Sequence, residues 1–422
     1  MYDHEVSEEL TAGCASVLTF EADAIVGSFL DPYVFNFSDM QLTQFSEGWN
    51  WWSTYVEQTG IDGLSQLEES LGDNGITIRS QVGYTDYYED YGWYGSLSSI
   101  NNESSYKIKT SAPCVAEMAG GTAIPSLHPI TLNQGWTWMG YLPSFALDIN
   151  TALNGLDATQ GDKVKSQQGY SDYYPGYGWF GSLNTIEPGM GLMYYSANSD
   201  AVTFTYPDNT RGGELKANLI AENNHWKPNV YAYPDNMTVM AVVELDDEEL
   251  NTENYELAAF ATNGECRGSV KLTYAEPLHR YVAFLTISGK DAIELSFRLY
   301  NTETNEEYYN AEESLDFVAN AMVGKSDALY VVHFKGIMGM DEFANEVKVY
   351  PNPVNAGERF NIGLSGDVTD IVRVEIINTL GMVETVCTSS CQTLTAPNVA
   401  GVYILRITVE GKGTIVRKLV VK

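Results

Sequence analysis

The residues best suited to chemistry are concentrated in eighteen positions from Gly83 to Ile100, where Tyr84, Tyr87, Tyr88, Tyr91, Trp93 and Tyr94 interleave with Asp86, Glu89 and Asp90. Flat apolar rings beside carboxylates stack on sugar rings and accept hydrogen bonds from their hydroxyls. The block returns 86 residues later, from Gly169 to Ile186, with twelve of the eighteen positions identical. The candidate ligand-binding aromatics are Tyr87, Tyr88 and Tyr91 in the first copy and Tyr173, Tyr174 and Tyr177 in the second. Adjacent tyrosines on a strand or turn point to opposite faces, so one of each pair should be exposed. The competing reading makes the tryptophans and leucines core, the glycines turns and the tyrosines a rim, and Trp93 and Leu97 suit it. Glu89 and Asp90 become Pro175 and Gly176 in the second copy, which argues against a shared catalytic carboxylate.

Other reactive constellations are missing from the sequence, and no catalytic residue is assigned. His4, His128, His225, His279 and His333 show neither metal spacing nor a partnered nucleophile, and no Gly-x-Ser-x-Gly elbow or phosphate loop occurs. Cys14, Cys114, Cys266, Cys387 and Cys391 are too scattered for a disulfide framework or a zinc site. Cys387 and Cys391 alone are close, flanking Thr-Ser-Ser, where either a bridge or two small loop residues fits. Asp246 to Glu249 offers hard oxygen ligands that would suit calcium, but without the alternating pattern of a helix-loop-helix site it reads as a solvated turn. No cofactor is expected. A glycosidase would need two facing carboxylates, and a chain this acidic could hold such a pair unmarked by any motif.

The elements that must position the aromatic blocks form a duplicated unit. Glu47-Gly-Trp-Asn-Trp51 is echoed by Gln134-Gly-Trp-Thr-Trp138, setting each unit at about 80 to 90 residues. In each, a Gly-Trp-x-Trp strand precedes apolar residues at helical spacing: Ile61, Leu64, Leu67 and Leu71, then Phe145, Ile149, Leu153 and Leu156. A short strand (76–79; 163–166), the aromatic block and a closing strand (106–109; 192–196) follow. Each unit is therefore expected to be β-rich with one helix. After a polar connection around 207–224, residues 226–332 read as all-β: Met237, Val239, Ala241, Val243 and Leu245 alternate, and four further strands follow at sandwich spacing. An immunoglobulin-like β-sandwich is the expectation.

Charge narrows the function classes. The net charge is −33, yet residues 345–422 carry 8 Lys+Arg against 7 Asp+Glu, so the rest carries −34. Such a surface repels phosphate backbones and anionic headgroups, which excludes nucleic acid as a partner. No stretch approaches 18 apolar residues, the length of a membrane-spanning helix. The first residues are acidic where a signal peptide is basic, and Leu10 to Cys14 lacks the apolar segment that would make it a lipoprotein box.

The closing stretch reads as an address. Val349-Tyr-Pro-Asn-Pro-Val354 opens it, and Val372, Val374 and Ile376 alternate with Arg373 and Glu375 as a half-buried strand. Tyr403 to Val409 and Ile415 to Val421 make a terminal hairpin across Glu410-Gly-Lys-Gly413. Together with Asn378-Thr-Leu-Gly381, the run from Ala396 to Arg406 and the basic, valine-rich end, this resembles the type A C-terminal sorting domain of Bacteroidetes type IX secretion cargo. The motif positions are Tyr350, Pro351, Asn352, Pro353, Leu380, Gly381, Gly401, Tyr403, Arg406, Lys418 and Lys422. The resemblance implies a β-sandwich tail and export across the outer membrane by the type IX translocon and an outer-membrane shuttle protein. It further implies cleavage by a sortase-like surface protease, then release or attachment to lipopolysaccharide. An exported cargo needs a leader, so further sequence is expected before Met1.

The expected organisation is a mainly β, multidomain chain: 1–38 the end of a preceding module or an extension, 39–118 and 119–208 the repeats, 222–335 the immunoglobulin-like domain, 336–346 a cleavable linker, and 347–422 the sorting domain. The expected function is a secreted or surface-anchored, non-enzymatic protein, an adhesin or glycan-binding ectodomain. The alternative is an accessory and spacer region of a larger secreted hydrolase.

Overall fold

The structure, a computed structural model, describes residues 39–57, 63–208, 215–219, 224–290, 292–309, 311–335, 347–364, 371–379, 382–388, 391–409 and 413–422. The expected extension 1–38 and linker 336–346 lie outside these. The chain is mainly β throughout and divides into two compact units. One runs to Asn218 and takes in Tyr231–Pro234; the other holds Leu219–Val230 and everything from Asp235.

In the first unit, the duplicated sequence forms two five-stranded antiparallel sheets of the same strand order. The first runs Gly48–Trp52, Tyr106–Thr110, Gly75–Arg79, Tyr84–Tyr88, Gly92–Gly95. The second runs Gly135–Met139, Leu192–Ser196, Lys163–Lys165, Tyr170–Tyr174, Gly178–Gly181. Alternation sends one side of each sheet into a core: Trp52, Ile78, Tyr106 and Ile108 in the first, Val164, Trp179, Leu192 and Tyr194 in the second. The helix Gly63–Leu71 closes the first core with Leu64, Leu67 and Leu71, and it stops where Gly72 takes a φ of +53°.

The second repeat departs from expectation. Its apolar spacing predicts a comparable helix, but only Ile149–Ala152 is helical. Asp148 caps it, accepting from the backbone N–H of Asn150 at 3.0 Å and Thr151 at 3.3 Å, and Gly155 at φ +90° follows within a turn. Leu147–Asp148, one flank of the apolar pattern, pairs instead as a strand with Thr185–Ile186. Strand pairing has captured part of a segment whose periodicity alone reads as helix.

The second unit contains two β bodies. In the first, a sheet built on Asp235–Leu245 and Arg280–Gly289 faces one built on Tyr255–Ala261 and Glu294–Asn301, enclosing Val239, Ala241, Leu257, Leu285 and Phe297. Tyr330–Phe334 joins Asp235–Leu245 in parallel. The Asp246–Glu249 stretch is the tip of a hairpin, with Asp246 and Asp247 at φ +55° and +65°. The C-terminal body packs the sheet Val347–Tyr350, Arg359–Leu364, Thr393–Thr395 with the sheet Val383–Cys387, Ile371–Ile377, Gly401–Val409, Gly413–Val421. Val374, Ile376, Leu405, Ile407 and Leu419 fill its core. Val372 does not join them as its spacing suggests. A bulge between Ile371 and Arg373 shifts the register, burying Ile371 and exposing Val372.

Candidate functional site

Each aromatic block is held by a clasp that its own motif supplies. After Arg79 or Lys165, the serine of Ser-Gln turns the chain: Ser80 N–H donates to the Gly83 carbonyl at 2.8 Å, and Ser166 N–H to that of Gly169 at 2.8 Å. The Gly-Ser-Leu end docks on the start of the tyrosine strand, with Leu97 N–H donating to Tyr84 at 2.9 Å and Leu183 N–H to Tyr170 at 3.1 Å. Only glycine fits there. A Cβ at Gly95 would lie 1.9 Å from the Tyr84 carbonyl oxygen, and one at Gly181 would lie 2.2 Å from that of Tyr170.

The glutamine of each Ser-Gln turn crosses to the other repeat. Gln167 accepts from Trp51 N–H at 3.0 Å and donates to the Trp49 carbonyl at 2.6 Å; Gln81 accepts from Trp138 N–H at 2.8 Å and donates to the Trp136 carbonyl at 2.8 Å. A carboxamide carries one donor side and one acceptor side, as a peptide group does, so each caps an edge strand that would otherwise be open. The contacts pair off: Ser53 N–H to Gly189 carbonyl at 3.1 Å matches Gly140 N–H to Glu103 carbonyl at 2.9 Å. The two repeats thus form an isologous pair with approximate two-fold symmetry within one chain. Between the edges, Lys107 lies over Trp51 at 4.3 Å and Trp138 at 4.6 Å, and Lys165 over Trp136 at 4.5 Å. Both lysines are buried, their ammonium groups held against indole faces.

The candidate tyrosines separate by repeat. On the first, Tyr84 is 49% exposed, Tyr88 51% and Tyr91 76%, with Tyr94 also exposed; Tyr87 turns inward and meets Trp93 edge-on at 5.5 Å. On the second, Tyr170 is 0% and Tyr174 5% exposed, Tyr173 packs on Trp179 at 5.4 Å, and Tyr177 alone of the candidates is exposed. Position 163 makes part of the difference. Lys163 pairs with Asp172 at 2.8 Å and sits 3.8 Å over the Tyr170 ring, whereas the first repeat has Thr77 there. Burial pushes the Lys163 ammonium down and the Asp172 carboxyl up, each partly offset by the other's charge. Tyr84 and Tyr94 were not among the candidates from sequence. The signal that could have found them is alternation, since Tyr84, Asp86 and Tyr88 share one side of their strand.

Three of the histidines are held by glutamates: His225 Nε2 lies 2.8 Å from Glu307, its ring stacked on Tyr300 at 3.9 Å, and the other two are His128 and His333. His128 Nδ1 lies 2.7 Å from Glu103 and its Nε2 lies 3.2 Å from Glu57, so neither ring nitrogen is available to activate a nucleophile. His333 lies between Glu313 at 2.5 Å and Glu244 at 3.4 Å. The hydrogen bond to Glu313 leads in holding its pKa above the ordinary range. Glu312, Glu313 and His333 bring three ligand atoms within 4.8 Å of one another, a juxtaposition that sequence spacing does not show. With both imidazole nitrogens facing carboxylates, a protonated histidine satisfies the cluster.

At the C-terminus, the motif residues stitch the chain's last strand in place. Asn352 donates to the Lys418 carbonyl at 2.6 Å and accepts from Val420 N–H at 2.9 Å; Lys422 N–H donates to Val354 at 2.9 Å. The peptide bonds before Pro351 and Pro353 are cis, and Tyr350 is exposed. Gly401 pairs with Val421, and the Tyr403 hydroxyl donates to the Val399 carbonyl at 2.9 Å. Arg406 reaches Glu375 at 3.0 Å from one side and Arg373 reaches it at 2.7 Å from the other, and these guanidinium groups hold its carboxyl below the ordinary range. Cys387 and Cys391 are joined as a disulfide. Leu380 and Gly381 lie outside the described residues.

Residues 348–422 match the family described as the secretion system C-terminal sorting domain. The chain is a type IX secretion cargo. Its sorting domain directs export to the cell surface or the medium, and no helix among the described residues is long and apolar enough to cross a membrane. No curated protein matches the sequence significantly. Among solved structures, the chain aligns with PorZ, a type IX secretion surface component of Porphyromonas gingivalis, at 10% identity over 83% of this chain and 69% of that one, with a TM-score of 0.16. It also aligns with a biofilm-associated protein BSP domain at 9% identity, over 96% and 99% of the two chains, with a TM-score of 0.14. Overlaps that low carry no argument about the passenger.

Proposed function

We propose that the passenger is a non-enzymatic adhesin whose glycan-binding surface is the outer side of the first repeat's sheet. The observation that supports this reading is the unequal fate of one duplicated block: Tyr84, Tyr88, Tyr91 and Tyr94 face solvent in the first repeat while Tyr170 and Tyr174 are interior in the second. Large exposed aromatics in one patch are costly to leave bare, and their faces suit sugar rings. Arg79 and Lys109 flank Trp49 at 5.0 and 5.9 Å on the same sheet side, adding donors for hydroxyl or carboxylate oxygens. The sandwich over 222–335 is, in this reading, an immunoglobulin-like spacer. The sorting domain is recognised by the translocon and its shuttle protein, then cut away within 336–346 by a sortase-like protease, with release or attachment to lipopolysaccharide. A glycan array probed with the parent and with a Tyr84→Ala/Tyr88→Ala variant tests the passenger reading. Loss of the parent's signals is expected; no signal in the parent, or unchanged signals in the variant, would refute it.

A further inference from the structure

In the second repeat a segment of the chain itself occupies the loop that follows the clasp. Lys216 to Asn218 lies along the Asn184–Thr185 loop, where the Asn218 carboxamide oxygen accepts from Asn184 N–H at 2.7 Å and Thr185 N–H at 2.8 Å, and its nitrogen donates to the Thr185 carbonyl at 3.0 Å. The Thr185 hydroxyl also donates to the Lys216 carbonyl at 2.7 Å. Two adjacent backbone N–H groups and one carbonyl thus form a receptor for an amide. The same loop of the first repeat is Ser98–Ser99, reached through the same Leu-to-Tyr clasp. There, among the described residues, no chain segment takes the place of Asn218. Ser98 and Ser99 are exposed and line a cavity of about 480 Å³.

The walls of that cavity suit a sugar. Ser96, Thr131, Trp138 and Glu103 are among its lining residues, bringing hydroxyls, an indole and a carboxylate, one oxygen of which is held by His128. Its volume falls in the range of small-molecule sites, about 300–1,000 Å³. We propose that this cavity is a subsite for an acetamido group, and that the passenger's glycan is one containing N-acetylhexosamine. The acetamido oxygen accepts from the N–H groups of Ser98 and Ser99, the acetamido N–H donates to the Ser99 carbonyl, and the ring hydroxyls meet Glu103 and the serine and threonine hydroxyls. Gly83 lies on the cavity wall immediately before Tyr84, so a chain seated here continues toward the tyrosine strand. The inference rests on the glycan-binding reading and names its specificity.

The test uses the full chain, with binding followed by saturation-transfer NMR and calorimetry against N-acetylglucosamine, glucose and an acetylated Lys-Ala-Asn peptide amide. N-acetylglucosamine should bind at least tenfold more tightly than glucose. Ser99→Pro, which deletes one N–H, and Thr131→Trp, which fills the cavity from another strand, should each weaken it at least tenfold with the unfolding temperature little changed. Equal binding of the two sugars, or binding that survives both variants, would overturn the proposal. Preference for the peptide would also overturn it and make the site a receptor for a protein partner. Array signals that depend on Tyr84 and Tyr88 but not on N-acetyl groups would sink the subsite while the adhesin reading stands. If the array instead gives no signal that depends on Tyr84 and Tyr88, N-acetylglucosamine binding that persists in the Tyr84→Ala/Tyr88→Ala variant and is lost in Thr131→Trp would uphold the subsite while the tyrosine surface fails.

Discussion

The two repeats share a strand order, a clasp and a tyrosine block, yet one presents its block and the other buries it. The second has Lys163 where the first has Thr77, and an Asn218 strap on the loop whose counterpart in the first, among the described residues, lines a cavity. Duplication supplies two equal scaffolds; a few substitutions then let one become internal support while the other keeps a face and a cavity toward solvent. Twelve shared residues in eighteen therefore do not imply two equal binding sites.

This contrast can be broken most sharply at the tyrosines. Tyr170→Ala should cost about 3–5 kcal/mol, the range for a large buried aromatic, whereas Tyr84→Ala should fall within about 0.5 kcal/mol of the parent. Equal losses in chemical denaturation would mean that the blocks are not divided as the structure shows. The carboxylates offer a second pair. Asp172→Asn leaves the buried Lys163 ammonium without its charge partner and should cost about 3 kcal/mol, while Asp86→Asn in the first repeat should change stability by about 0.5 kcal/mol or less.

Symmetry across the repeat junction makes the next effect smaller. Gln167→Ala and Gln81→Ala each strand a backbone donor and acceptor of the facing edge. We expect about 1–2 kcal/mol for Gln167 and less for the exposed Gln81, whose site admits water. A pair of variants that sum without coupling would show that the two caps act independently.

Smallest, and set against the buried Asp172 pair, is Glu375. The same chemistry shifts the opposite way there, because two partly exposed arginines, Arg373 first and then Arg406, outweigh the burial of the carboxyl between them. A carboxylate with a depressed folded pKa contributes stability that is fully present above its unfolded pKa and lost as pH falls through the folded one. The sorting domain should therefore weaken on acidification below the ordinary glutamate range, and Glu375→Gln should flatten that decline at a cost of about 1 kcal/mol at neutral pH. Thermal unfolding measured down the acid range checks both statements.

Much of the fold is legible in the residues, because local pattern and final structure agree. The Gly-Trp-x-Trp strands, the Leu64, Leu67, Leu71 helix and the terminal hairpin follow from periodicity. Where local pattern competes with long-range pairing, legibility fails: Leu147 and Asp148 pair with Thr185–Ile186, and a bulge at Ile371–Arg373 turns Val372 outward. The site was less legible still. Of the six candidate tyrosines, Tyr88, Tyr91 and Tyr177 are exposed, Tyr87 and Tyr173 pack on tryptophans, and Tyr174 is interior. Composition cannot say which side of a sheet is covered, since that depends on segments distant in sequence.

By itself, the sequence determined the duplication, the mainly β character and the sorting address, read as 347–422 and matched at 348–422, for these are written in repeats, period-two alternation and ordered motifs that need no partner to be read. Only the tertiary structure decided that Gln81 and Gln167 lock the repeats edge to edge, that two lysines lie between tryptophans, and that one tyrosine block is free while its copy is not. The physical reason is that burial and hydrogen-bond pairing are properties of neighbours in space, and here those neighbours stand up to 183 residues apart along the chain, as Trp51 and Pro234 do.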